Sequence, residues 1–171
     1  MTTRPLLIAN AALAFFAASA LAQPAAPLDV RAAMQERINP AMLAIWDVSN
    51  NALGDDGGID PGLMDDGKWQ RIAEAAGHLS AASKAMATAD AFVAAGPGNG
   101  EVGNGEITMA AVQEHLDHDP AQLRQMAAAL ADHADRIAAA ARARDARTAG
   151  DLIGETDAVC ESCHMTFWYP E

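Results

Sequence analysis

The two cysteines of this 171-residue chain stand three positions apart near its C-terminus, and a histidine follows directly: Cys160-Glu161-Ser162-Cys163-His164. On a helix, residues three and four apart share a face. Both thiols and the imidazole therefore project to one side. C-x-x-C-H is the attachment signature of a c-type haem, with two thioethers to the porphyrin and the histidine on the iron. A redox disulfide would usually accompany a βαβ pattern, and no strand is apparent in the sequence. A zinc site takes about four ligands, one more than this segment offers. Haem c, one group held covalently by Cys160 and Cys163 with His164 as axial ligand, is the expected cofactor.

The first residues have the form of an export signal. Arg4 provides a positive start, an apolar run covers 6–21, and Ala20-Leu21-Ala22 gives an A-x-A cleavage pattern. The expected organisation is a signal peptide over 1–22 and one domain over 23–171, exported to a periplasm, with no membrane attachment after cleavage. The apolar run is short for a spanning helix. About 149 residues then remain, enough for a single core. The formal charge of the full chain is −12. Nucleic acid is excluded as a partner on that ground, since phosphates require basic residues. A basic redox protein is the partner such a surface would steer.

Between these ends the chain reads as helices. Val30, Met34, Ile38, Ala41, Ile45 and Val48 recur at three- and four-residue steps, predicting a helix over 28–53 with a kink or break near Ile38 and Asn39, ahead of Pro40. A glycine- and aspartate-rich loop follows over 54–67; it lacks the ligand spacing of an EF-hand. Trp69, Ile72, Ala76, Leu79, Ser83 and Met86 predict a second helix over 68–94. A glycine-rich loop and a short helix over 108–118 come next. Asp119-Pro120 reads as an N-cap and first-turn proline, opening a third long helix to about 143 with the stripe Leu123, Met126, Leu130, Ala134 and Ile137. After a turn at 144–147, a fourth carries Leu152, Thr156, Val159, Cys163 and Phe167 and stops at Pro170. The expected fold class is all-α, an antiparallel four-helix bundle that buries these stripes against one another and against the haem.

An export signal, four helices and one C-x-x-C-H in the last turns of the last helix resemble the class II c-type cytochromes, the cytochrome c′ family. The resemblance is densest over 149–169. It implies a left-turning bundle, His164 as proximal ligand, and a distal side built by the first helix. In many members that side is apolar and the iron five-coordinate; a low-spin subgroup places a first-helix methionine on the iron. This chain departs from the pattern in carrying Phe167-Trp168-Tyr169-Pro170 where the family usually has a basic residue, in its Asn39-Pro40 step and Trp46, and in its longer glycine-rich loops. It looks like a divergent branch.

Met34 is the expected sixth ligand, being on the apolar stripe in the first turns of the first helix; a thioether suits haem iron and raises its potential. Met42 is the second candidate, and Met34 as a plain core residue is the structural alternative. Met165 adjoins His164 too closely to reach the same iron. His78, His115 and His118 are spare imidazoles, and His133 reads as a surface residue beside Asp132 and Asp135. Arg142, Arg144 and Arg147 form the densest basic group and are candidates to meet the haem propionates. No nucleophile-bearing motif is present, so an enzyme is not expected. The expected function is single-electron transfer with His/Met ligation; the alternative is a five-coordinate protein that binds nitric oxide or carbon monoxide. A homodimer is expected too, because related cytochromes pair and the first two helices present alanine-rich faces.

Overall fold

The computed structural model describes residues 25–104 and 107–169; the expected signal peptide over 1–22 and the Pro170 stop lie outside them. The described chain is all-α apart from one minimal strand pair. The first long helix is built of α1 (Val30–Ala33), a π-helical stretch (Met34–Ile38) and α2 (Asn39–Asn50). Three further long or short helices precede the last: α3 (Asp66–Ala87), α4 (Met109–His118) and α5 (Pro120–Ala143). The chain closes with α6 (Ala146–Phe167).

Local chemistry sets these boundaries. Asp29, Asp65, Thr108, Asp119 and Asp145 each accept a backbone N–H from the first turn of the helix that follows, satisfying donors that a helix start leaves unpaired. Pro120 occupies the first turn of α5, where no N–H is needed. Between α5 and α6, Arg144 takes the left-handed conformation (φ 56°) and ends α5, so that α6 doubles back on it. The Arg144 guanidinium meets Asp66 at 3.0 Å.

Two expectations are corrected. Of the kink or break expected near Ile38 and Asn39, the break does not occur: the helical run continues through a π turn over Met34–Ile38. The second helix stops at Ala87 rather than 94. Past Thr88, whose hydroxyl donates to the Lys84 carbonyl, the chain extends into β2 (Phe92–Val93), which pairs in parallel with β1 (Leu28–Asp29). The sequence shows no strand because each is only two residues long. Both sit where one helix begins and another has just ended.

That pair is reinforced by side chains. Asp29 caps α1 through one carboxylate oxygen and accepts the Gly96 N–H through the other at 2.7 Å. Gln113 of α4 accepts from Ala94 N–H and donates to the Phe92 carbonyl. Arg124 of α5 donates to the carbonyls of Ala89 and Asp90 and lies over the Phe92 ring. The start of the first helix, the segment after α3, α4 and α5 are thereby held together.

The long helices touch unequally. α3 and α5 pack most extensively, α2 lies on α3, α5 lies on α6, and α2 approaches α6 only sparingly. Small side chains explain the closest pair: Ala76, Ser83, Ala134 and Ala138 are fully buried, with Ile72, Leu79 and Ile137 filling the spaces between. At the α2–α6 seam the side chains are larger and the backbones stand apart.

A Cβ at residue 96 would lie 2.6 Å from the Asp29 carboxylate. Gly96→Ala is expected to displace that side chain and to cost about 1–2 kcal/mol, similar to loss of the helix cap in Asp29→Ala. The double variant should lose little more than either single one, since both remove the same contact. Chemical denaturation of the four proteins measures this, and additive losses would contradict the shared origin.

Candidate functional site

α6 carries Cys160, Cys163 and His164 in its last two turns, and the spacing that the sequence offers is realised as a helix face. All three side chains line a cavity of about 340 Å³ in the seam between the first helix and α6. The first helix contributes Met34, Ile38, Asn39, Met42, Leu43 and Trp46; Met86 comes from α3, and Met126, Ala127 and Leu130 from α5. A second cavity of about 280 Å³ adjoins it toward the end of the molecule, sharing Met34, Asn39, Cys163 and His164 and adding Arg31, Leu116, Trp168 and Tyr169. Volumes of this order are those of cofactor sites. The walls of the first are almost wholly apolar.

The cavity governs the acid–base state of its groups. Both cysteines are free thiols. Burial, with the neighbouring Cys160 as a smaller contribution, pushes Cys163 up to about 11. Cys160 is raised by burial and by the Asp157 carboxylate. Burial lowers His164 below the ordinary imidazole value, because an apolar surround disfavours the charged form. His164 is therefore held neutral, the form whose ring nitrogen can bind a metal. Its carbonyl accepts the N–H groups of Trp168 and Tyr169, and the Tyr169 ring meets the imidazole edge-on at 5.7 Å. The end of α6 thus folds over its own histidine.

These residues suit a haem. Two free thiols and a neutral imidazole lie on one wall, a thioether (Met34) stands on the first helix, and the surrounding surface is apolar. Among the described residues no three His, Cys, Asp or Glu side chains come together as ligands of a single ion. Cys160, Cys163 and His164 line one wall of the first cavity together.

The structure brings Cys160, Cys163, His164 and Met34 to one cavity and separates other candidates. Met42 is 3% exposed and lines the same cavity as Met34. Met165 is 59% exposed, away from the wall that its neighbour His164 occupies. His133 is not on the surface: it is buried between α5 and α6, its Nε2–H donating to the Leu152 carbonyl at 2.8 Å, with Thr156 alongside at 3.2 Å. The adjacent aspartates had suggested solvent, but helical spacing turns them outward and the histidine inward. The arginine group is also corrected. Arg142 and Arg144 line a cleft with Asp66 and Trp69, and Arg147, in the first turn of α6, lies roughly 25 Å along the helix from His164. Among the described residues, the basic side chain lining the adjoining cavity is Arg31, over the Trp168 ring at 5.9 Å.

Sequence reasoning did not assign Trp46, Met86, Met126, Leu130 or Arg31 to the site. The one signal for Met126 and Leu130 was their place on the α5 stripe; in the structure they are half-buried and line the cavity. Comparison with protein-family models, curated proteins and solved structures gave no match in any of the three.

In protein carrying no haem, alkylation of Cys163 by iodoacetamide at pH 8 is expected to run well below that of an exposed thiol. Only the thiolate reacts, so the rate should keep rising beyond pH 10, about tenfold per pH unit below a value near 11. A rate that levels off below pH 9 would contradict the burial.

Proposed function

We propose that this protein is a periplasmic c-type cytochrome with one covalent haem, built as an antiparallel four-helix bundle of the class II kind, and that it transfers single electrons with His/Met axial ligation. The observation that carries the reading is the meeting of Cys160, Cys163, His164 and Met34 on the walls of one apolar cavity between the first and last helices. Cys160 and Cys163 would hold the porphyrin as thioethers. His164, neutral in this surround, would offer a ring nitrogen to the iron from the α6 side, and Met34 its sulfur from the first helix. Bound there, a haem supplies one-electron redox chemistry. The chain's own part is to fix both axial groups from separate helices and keep bulk water from the site, which disfavours extra charge and so tunes the potential.

The net charge of −12 supports a basic redox partner, drawn by long-range attraction. An alanine-lined groove between the first helix and α3, with Ala41, Ala44, Ala75 and Ala82 along it, supports the pairing of two copies; a monomer on light scattering would remove the dimer alone.

One observation favours a second reading. Beyond Met34 the wall formed by Met86, Ala127 and Leu130 is apolar, which is what nitric oxide or carbon monoxide would meet at an open sixth position.

A pyridine haemochrome spectrum of denatured protein, made in a host with haem-maturation machinery, is expected to show thioether-linked haem that acidified solvent does not extract. Optical and paramagnetic resonance spectra should then be low-spin for the wild type and high-spin for Met34→Ala. The reduction potential should fall by on the order of 0.1 V or more, within the ~0.8 V range that axial ligands set. Extractable haem would overturn the attachment. A high-spin wild type unaffected by Met34→Ala would move the function to gas binding.

A further inference from the structure

The first helix contains one irregularity, and it lies between the two methionines that line the cavity. Pro40 has no N–H and its ring would collide with the Glu36 carbonyl in a regular α-helix. Over Met34–Ile38 the backbone instead forms a π turn, and the Asn39 N–H donates to the Met34 carbonyl, five residues back. A π turn holds one residue more than an α turn and often marks a functional site.

The extra residue changes which side chains face α6. An α-helix advances about 100° per residue. In an unbroken α-helix, Met42, Asn39, Trp46 and Leu43 would lie at about 80°, 140°, 120° and 180° from Met34, leaving Met34 at the edge of the face they define. Taking one residue out of the count moves them to roughly −20°, 40°, 20° and 80°. Met34 then stands within that face, between Met42 and Trp46. This matches what is seen, since Met34 lines both cavities and every one of these residues lines the first. The N-terminal side cannot simply rotate to compensate: the Arg31 N–H donates to the Ala94 carbonyl, and Asp29 is tied to Gly96.

We infer that Pro40 is a positioning residue for the sixth-ligand side of the site: by forcing the π turn it rotates Met34 about a third of a turn into the cavity opposite His164. This rests on the haem reading above and adds to it the element that places the ligand. It explains why a proline is present within a helix whose other residues would continue without interruption.

The test compares holoprotein of three kinds: wild type, Pro40→Ala, and Pro40→Ala with Glu36 deleted. In each, the methyl resonance of Met34 is followed in the ferrous, carbon monoxide-bound state, where the ring current of the haem reports proximity whether or not Met34 is a ligand in the free protein. Amide exchange at Asn39 is followed beside it. In Pro40→Ala the π turn is expected to relax to α, the Asn39 exchange rate to change, and the Met34 methyl to move toward the positions of methionines remote from the haem. Deleting Glu36 removes the surplus residue, so a regular helix again aligns Met34 with Met42, and the methyl should return to its wild-type position. A Met34 methyl and an Asn39 amide unchanged in Pro40→Ala would overturn the inference. So would failure of the deletion to restore the methyl. A high-spin wild type would defeat the ligation while leaving the ring-current comparison readable. Should no haem be attached at all, the haem reading fails, and the Cα chemical shifts over 34–39 of the same three proteins decide whether Pro40 sets the turn.

Discussion

The unequal packing of the helices is the constraint on which the site depends. α3 and α5 approach closely because alanines and a buried serine line their contact, and dispersion between well-fitted surfaces holds them. The first helix and α6 cannot follow, because their facing residues are methionines, a tryptophan, cysteines and a histidine. The seam between them is left with apolar volume that the protein's own side chains do not fill. An apolar void of this size forfeits contacts along its whole wall, so occupation of the seam by a flat apolar group would add both burial and dispersion. Stability and cofactor binding would then be one and the same contact.

Around that seam the polar interactions act as ties rather than as a source of large energy. Asp29 joins the start of the first helix to the segment after α3, and Gln113 and Arg124 anchor that segment to α4 and α5. The exposed ion pairs, Arg71 with Asp47, Lys84 with Asp135 and Arg144 with Asp66, are each of small worth in solvent. Their places on the fold are nonetheless informative, for they cross between elements already in contact and none borders the cavity. The titratable groups that line the first cavity are two thiols with raised pKa values and an imidazole with a lowered one.

The buried pair formed by His133 and the Leu152 carbonyl shows how a polar residue can sit in an alanine-rich interior. An unpaired imidazole would be costly there. Its Nε2–H has a carbonyl within reach because α5 and α6 are joined by a short turn and run close together. The same closeness leaves no room for a cofactor at that level, which confines the cavity to the other end of α6.

Much of this was legible in the sequence, and the reasons are local. The five capping residues, the helical stripes and the C-x-x-C-H spacing each act within a few positions of the chain, so the helices, the turn at Arg144 and the common face of Cys160, Cys163 and His164 follow from the residues themselves. What the tertiary structure decided depends on residues far apart. Two-residue strands exist only because segments some sixty residues apart meet. His133 is inside because α6 supplies its acceptor, and the arginines at 142, 144 and 147 are remote from the cavity because α6 runs its full length between them and His164. A proline in the sequence announces a disturbance but not its form. Whether the helix breaks or continues depends on what its segments are held to, and here its N-terminal end is tied to Ala94 and Gly96 while the backbone continues as a π turn.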